Sequence, residues 1–374
     1  MTAHLPDFTK QLIIDGTKIG WYKDRVEAWK RGEKIAPVTI DYAMTRECQA
    51  SCPICYAMLQ ENERKYQTKE IVFNFLEDAA EIGVKGVSFI SDGESTVHKN
   101  YLEAVEHAHR LGLGTGASSN GVVLNKRTLE RLLPCLTYLR FHFGGGTREG
   151  YAKAMGLNPV WYDRVIQNIK DAMAIKHRDN LPVNINVQMV CRPEDKEEIV
   201  PLAKLCRDVL RPDYFVIKHT ADDLEGSLGI NYAKYADLFD NFKEAEACAD
   251  DTFRVQVKWS RFERDGQRDY ERCYGPPFLL QVSGSGLVAP CGFLFNERYK
   301  KFHIGNICDT RFKDIWNSDR YWEVVNYLAS DEFNAQMSCG PNCLQTNTNS
   351  WLDKFMKGMV TFADTPQPPH MEFL

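Results

Sequence analysis

Three cysteines, Cys48, Cys52 and Cys55, follow one another in the spacing C-x3-C-x2-C. With 12 cysteines in 374 residues, chance would produce this pattern roughly 0.01 times. Thiolates at such intervals can converge from one loop onto a compact inorganic core. Three ligands on a four-iron cube leave one iron without a protein ligand. An open metal position can take a small molecule through nitrogen and oxygen. The competing reading is structural zinc, which prefers four ligands in two close pairs, and no fourth Cys or His lies near the triad.

A second group lies near the other end. Cys273, Gly286 and Cys291 form C-x12-G-x4-C, and Cys339-Gly340-Pro341-Asn342-Cys343 follows downstream. Four thiolates suit a fully ligated second iron–sulfur cluster, and they also suit structural zinc. Clustering of this kind points to metal or cluster ligation, since disulfides are rare in a reducing compartment. Cys135, Cys191, Cys206 and Cys248 are expected to be small buried hydrophobes. Cys308 stays open between a fifth nearby thiol, a hydrogen-atom donor to a substrate radical, and a buried residue.

The elements that must position these loops alternate. Strands are expected over Val38–Tyr42, Gly86–Ile90, Thr115–Ser119, Leu136–Phe143, Val183–Val190 and Tyr214–Lys218. Helices are expected over Gln67–Ile82, Tyr101–Leu111, Thr128–Leu133, Trp161–Ile175 and Glu194–Val209. Six strands with crossover helices imply an α/β chain with a parallel sheet, right-handed crossovers and a natural tendency to curl into a partial (βα)6 TIM-like barrel. Ligand chemistry then belongs at the C-terminal strand ends. The expected organisation is a leader over 1–36, with a strand or turn at Leu12-Ile13-Ile14 and a helix through Trp29, then a barrel over 37–225. A helix near Tyr232–Ala249 opens a cysteine-bearing domain over 226–358, and 359–374 reads as an extended, poorly packed tail.

The triad, placed after the first strand of such a barrel, resembles the radical S-adenosylmethionine (SAM) superfamily. Ser91-Asp92-Gly93-Glu94 is similar to that family's Gly-Gly-Glu segment, which contacts the SAM amino group. Ser118-Ser119-Asn120-Gly121 resembles its ribose-binding segment. Two departures are Ile54, where the family often has an aromatic residue, and Ser91-Asp92 in place of Gly-Gly. The C-terminal cysteines, with Ile304-Gly305-Asn306-Ile307 and Phe312-Lys313-Asp314-Ile315-Trp316, resemble the SPASM extension or its shortened form, twitch. The full seven-cysteine set is missing, so one auxiliary 4Fe-4S cluster is expected. The resemblance implies a 4Fe-4S cluster on Cys48, Cys52 and Cys55 that cleaves SAM reductively to a 5′-deoxyadenosyl radical. It also implies SAM contacts at Ser91, Asp92, Gly93, Glu94, Ser118, Ser119 and Asn120, auxiliary ligands Cys273, Cys291, Cys339 and Cys343, and a flavodoxin- or ferredoxin-type electron donor.

Substrate contacts are expected among polar residues at strand ends, namely His142, Lys218 and His219, with Arg46, Glu47 and Tyr56 weaker. About 36 residues precede the first barrel strand, too few for the leader-peptide-binding winged helix that many peptide-modifying SPASM enzymes carry. This favours a small polar substrate (a sugar, aminocyclitol or nucleotide-sugar) oxidised as in twitch-bearing dehydrogenases, or epimerised. A maturase acting on a ribosomal peptide is the alternative. From another class come an iron–sulfur electron carrier and a zinc-stabilised binding protein. The net charge of −5 leaves no footprint for nucleic acid or an anionic membrane. The N-terminus shows no signal-peptide pattern, and no stretch reaches the ~18 apolar residues of a membrane span, so a cytoplasmic protein is expected.

Overall fold

The computed structural model describes residues 16–223, 225–263 and 267–374; the Leu12–Ile14 element lies outside them. Ten strands form one sheet in the order β10-β9-β8-β1-β2-β3-β4-β5-β6-β7. The six expected strands are β1 (Thr39–Tyr42), β2 (Gly86–Phe89), β3 (Gly114–Ser119), β4 (Tyr138–His142), β5 (Asn184–Cys191) and β6 (Tyr214–His219). All pair in parallel with their neighbours. Two further parallel strands extend the sheet: β7 (Arg254–Val257) beside β6, and β8 (Leu279–Val282) beside β1. The antiparallel β9 (Leu287–Ala289) and β10 (Gly305–Asn306) follow β8. Thus the sheet is an open, mostly parallel α/β barrel whose two edges are built from the C-terminal half of the chain.

Alternation along the strands separates two environments. Ile40 and Tyr42, Val87 and Phe89, Leu139 and Phe141, Val187 and Met189, and Phe215 and Ile217 are buried in one apolar core. That core is shared with the crossover helices. α1 (Lys23–Lys30) precedes the barrel, and α2 (Lys69–Ile82) buries Val72, Phe75, Leu76 and Ala79. α2 starts where the Thr68 hydroxyl accepts the Ile71 N–H and stops at Gly83, whose φ of 96° suits glycine. α3 (Tyr101–Arg110), α4 (Lys126–Leu132), α5 (Arg148–Met155), α6 (Trp161–Arg178) and α7 (Lys196–Leu205) continue the pattern. The intervening strand positions, Asp41, Ser88, Ser118, Arg140, His142, Gln188, Lys218 and Gln281, face the barrel lumen and are nearly all polar.

The tail differs from the sequence expectation. Phe373 and Leu374 are buried, and Phe373 packs edge-on against Tyr138 at 5.1 Å. The buried Lys18 ammonium donates to the carbonyls of His370 (2.5 Å) and Phe373 (2.7 Å). Thr39 Oγ1 donates to the Glu372 carbonyl at 2.9 Å, beside the strand starts at Gly86 and Gly114. Apolar residues at 373 and 374 outweigh the three prolines before them, and the segment closes the N-terminal end of the barrel. The helix expected over Tyr232–Ala249 is a 3-10 segment (Tyr232–Leu238) running into α8 (Phe239–Glu246).

Candidate active site

β1 ends at Tyr42, and the next loop carries Cys48, Cys52 and Cys55. A tight turn joins the last two, with the Cys55 N–H donating to the Cys52 carbonyl at 2.9 Å. The loop is held from the tops of β2 and β3. The Glu94 N–H donates to the Glu47 carbonyl (2.9 Å). Gly93, at φ 80°, packs so closely that a Cβ there would overlap the Thr45 carbonyl oxygen and lie 2.8 Å from Arg46 Cα. The Asn120 amide reaches Cys48 Sγ at 3.8 Å and accepts from Gln49 at 2.9 Å. Burial raises all three thiols, Cys52 to about 12. Neutral thiols in a desolvated loop become thiolates when a cationic metal core takes the proton's place.

Asp92 and Glu94 are both buried. Asp92 accepts the Gly284 N–H at 2.7 Å and lies 3.6 Å from the Arg46 guanidinium, so it ties the triad loop to the β8–β9 turn. Burial lifts its carboxyl to about 6. Glu94 accepts the Asn120 N–H (2.8 Å) and the Thr96 hydroxyl (2.5 Å), joining the β2 and β3 loops. Ser119 is buried and Ser118 half-buried on the lumen side. The segments expected to hold SAM therefore stand together around the triad, and Asp92 Oδ2 keeps no hydrogen bond of its own.

Cys273, Cys291, Cys339 and Cys343 meet beyond the β8–β9 hairpin; each of the other three raises the Cys273 thiol, after burial. N–H donors point at the sulfurs. Asn349 Nδ2 lies 3.8 Å from Cys273 Sγ and 3.7 Å from Cys343 Sγ, and the Gln345 N–H lies 3.3 Å from Cys343 Sγ. Arg268 favours the thiolates of Cys291 and Cys339. Donors and a cation around four thiols fit an anionic cluster. Two thiolates on one zinc ion, at Zn–S of about 2.3 Å, must approach to roughly 4 Å. Among the described residues no three His, Cys, Asp or Glu side chains are gathered closely enough to hold a single metal ion. The amide and backbone donors on Cys273 and Cys343 and the Arg268 cation beside Cys291 and Cys339 are what favour an iron–sulfur cluster at the second set.

The strand-end residues divide. His142 and Lys218 face each other in the lumen, and burial followed by Lys218 lowers the His142 imidazole to about 4. The lumen adds two groups that sequence reasoning passed over, Arg140 and Asp41. Asp41 accepts from Gln281 at 2.9 Å, and burial raises its carboxyl to about 6. The period-two rule applied to Tyr138-Leu139-Arg140-Phe141-His142 puts Arg140 on the His142 side. His219, one position past Lys218, turns away from the lumen. Its ring packs against Phe262 (5.5 Å) and Tyr232 and Tyr235 (6.0 Å each), which corrects the expectation that it meets substrate. Cys308 sits by the β9–β10 hairpin, with Sγ 3.7 Å from the Ser285 carbonyl. Burial and Asp309 push it up to about 11, and Lys65 and Glu63 are its other charged neighbours. Cys191, Cys206 and Cys248 are buried as expected, and Cys135 is half-buried.

An open parallel barrel with a three-thiol loop after β1 and a four-thiol site on its C-terminal edge defines a cluster-bearing radical enzyme. Residues 42–206 match the sequence profile of the radical SAM superfamily, and residues 273–344 match SPASM, an iron–sulfur cluster-binding domain. The chain belongs to the radical SAM superfamily, and the family's cofactors are a 4Fe-4S cluster, SAM and auxiliary iron–sulfur chemistry in the SPASM domain. It is similar to the tungsten-containing aldehyde ferredoxin oxidoreductase cofactor-modifying protein of Pyrococcus furiosus, 21% identical over 76% of this chain and 83% of that protein. A PqqA peptide cyclase of Xanthomonas oryzae is 23% identical over 75% of this chain and 74% of its own length. The match to the Bradyrhizobium diazoefficiens PqqA peptide cyclase, at 29% identity, covers 39% of this chain and 40% of that protein. In fold, the chain is similar to Streptococcus suis SuiB bound to precursor peptide SuiA. That likeness has a TM-score of 0.62 and 16% identity, covering 94% of this chain and 80% of SuiB.

Proposed function

We propose that this radical SAM enzyme modifies a peptide. The observation that carries the reading is the alignment with a PqqA peptide cyclase over three quarters of both chains. The likeness to SuiB agrees with it at the level of fold. This moves the preference away from the sugar or aminocyclitol substrate expected from the short N-terminal segment. The cofactor-modifying relative from Pyrococcus furiosus supports a second reading, a small non-peptide substrate.

Cys48, Cys52 and Cys55 would hold the SAM-binding cluster, with Ser91–Glu94 and Ser118–Asn120 around the nucleotide. Cys273, Cys291, Cys339 and Cys343 would hold the auxiliary one. Together the reduced cluster and SAM supply abstraction of a hydrogen atom from an unactivated carbon. The lumen residues do the rest. They form a polar chamber below the triad, in which the Asp41 carboxylate is fixed by Gln281. His142, neutral at pH 7, serves as a hydrogen-bond partner rather than an acid. The auxiliary site's complete set of thiols leaves no vacant ligand for substrate, which favours electron transfer there and a net oxidation such as crosslinking. Electrons would come from a flavodoxin- or ferredoxin-type donor.

The test is anaerobic SAM turnover with perdeuterated peptides and, separately, deuterated sugars, reading deuterium in 5′-deoxyadenosine. Transfer from peptide carbon is the expected result. Transfer from sugars alone would overturn the peptide reading.

A further inference from the structure

The lumen sets two basic side chains, Arg140 and Lys218, beside Asp41. Arg140 lies on β4, and its guanidinium stacks over the Tyr138 ring at 5.5 Å. Arg140 Nε is buried with no hydrogen-bond partner. Lys218 lies on β6 in the same chamber, where Arg140 and Lys218 both act on Asp41 and on His142. The strongest electrostatic neighbours of Lys218 are Arg140, Arg261 and Lys258, all cations, and after them Asp41. Asp41 is already engaged by Gln281 at 2.9 Å. Arg140 Nε is buried without a partner, and it stands beside a second basic group whose strongest charged neighbours are cations; such a site favours an anion that arrives with the ligand.

We infer that Arg140 and Lys218 bind a carboxylate of the substrate, which on the peptide reading is the side chain of a glutamate or aspartate residue. This rests on the reading of the chain as a peptide-modifying enzyme. A guanidinium offers two parallel donors to a carboxylate and an ammonium offers a third, so the planar acid group is both charged and oriented. Burial holds the Lys218 ammonium well below its ordinary range, and an incoming carboxylate would restore its charge, so binding of the acid and protonation of Lys218 are linked. Arg140 and Lys218 come from β4 and β6, away from the β2 and β3 loops that surround the triad. The acid group would sit deep in the lumen and leave the neighbouring aliphatic carbons toward the strand ends, where the chemistry takes place.

The test uses holoenzyme loaded with both clusters and SAM, and two blocked tripeptides, acetyl-Gly-Glu-Gly-amide and acetyl-Gly-Gln-Gly-amide. Their affinities are measured by anaerobic calorimetry. The glutamate peptide should bind at least about tenfold more tightly, the worth of a charge-assisted hydrogen bond. Lys218→Met and Arg140→Gln should each erase that preference, and Lys218→Arg should keep most of it. Iron content and visible absorbance report whether each variant still holds its clusters. Equal binding of the two peptides by the wild-type protein would overturn the inference. So would variants that weaken SAM binding while leaving the glutamate preference intact, because the cations would then serve the cofactor's own carboxylate. If neither peptide binds but glucuronate does so more tightly than glucose, and Lys218→Met abolishes the difference, the carboxylate site stands and the peptide reading falls.

Discussion

Gly93 and Gly112 have nearly the same backbone, φ 80° and φ 79°, in opposite surroundings. A Cβ on Gly112 would meet nothing within 4 Å. On Gly93 it would overlap the Thr45 carbonyl oxygen and lie 2.8 Å from Arg46 Cα. Gly112→Ala therefore carries only the left-handed penalty of an L-residue, about 1–2 kcal/mol. Gly93→Ala carries that penalty and a collision with backbone. Non-bonded carbons need about 3.5 Å, so the start of the triad loop must move by roughly 1 Å. The Glu94–Glu47 backbone hydrogen bond (2.9 Å) is then lost, for about 1 kcal/mol more. Cys48 is two residues from Arg46, so the displacement reaches the first cluster ligand. A misplacement of that size at a reacting centre costs on the order of a hundredfold in rate. The measurements are urea unfolding, iron and sulfide per chain after anaerobic loading, and 5′-deoxyadenosine formed under dithionite. Gly93→Ala should lose at least about 1 kcal/mol more than Gly112→Ala in urea unfolding. Gly93→Ala alone should lose first-cluster iron and SAM cleavage. Equal behaviour of the two alanine variants in all three assays would refute the idea that Gly93 sets the position of the triad loop.

Asn349→Asp keeps the acceptor for the Gly275 N–H (2.8 Å) but replaces donors to Cys273 and Cys343 with an anion. The auxiliary cluster's potential should fall by at least about 50 mV, and an unchanged potential in a redox titration would show the amide does not face the cluster. Lys18→Met removes donors to two carbonyls of the tail and should cost about 2–4 kcal/mol in urea unfolding; a loss below about 1 kcal/mol would mean the tail closes the barrel without it. His142 titrates near 4 when folded, below its ordinary 6.5. Its contribution to stability is thus present above pH 6.5 and is lost as pH falls through 4, by no more than about 3 kcal/mol. The stability difference between wild type and His142→Gln should be flat from pH 7 to 8 and shrink between pH 6.5 and 4; a difference that changes above pH 7 would contradict a desolvated imidazole.

Five of the six barrel strands were legible because Val, Ile, Phe and Tyr recur along them with helices of matching period between; β3, Gly114-Thr115-Gly116-Ala117-Ser118-Ser119, has none of these and was legible from the Asn120-Gly121 turn that ends it. The strand β7 escaped because Arg254-Val255-Gln256-Val257 is short and half polar, and it gains its place only from the open edge of β6. Both cysteine sets were legible from spacing, but their donors were not. Asn349 and Gln345 lie beyond Cys343 on an ordinary amphipathic helix, and only folding shows that their N–H groups aim at sulfur. Arg140 was hidden differently. Its neighbour His142 drew the interest that strand alternation gives equally to both, whereas the same alternation denies the lumen to His219.

The C-terminal half does more than append a second cysteine site. β8 runs parallel to β1 with Asp41 opposite Gln281, and the turn after it brings Gly284 against Thr45, so closely that a Cβ on Gly284 would overlap the Thr45 backbone. The Gly284 N–H is also held by Asp92 at 2.7 Å. One hairpin thus touches the triad loop, the β2 loop and, through Gln281, the lumen carboxylate, while β9 leads directly to Cys291. A shift at either cysteine site can reach the other through this hairpin, and also through Tyr56, next to Cys55, whose hydroxyl donates to the Phe293 carbonyl at 2.8 Å, because packed backbone transmits displacement and has no slack to absorb it.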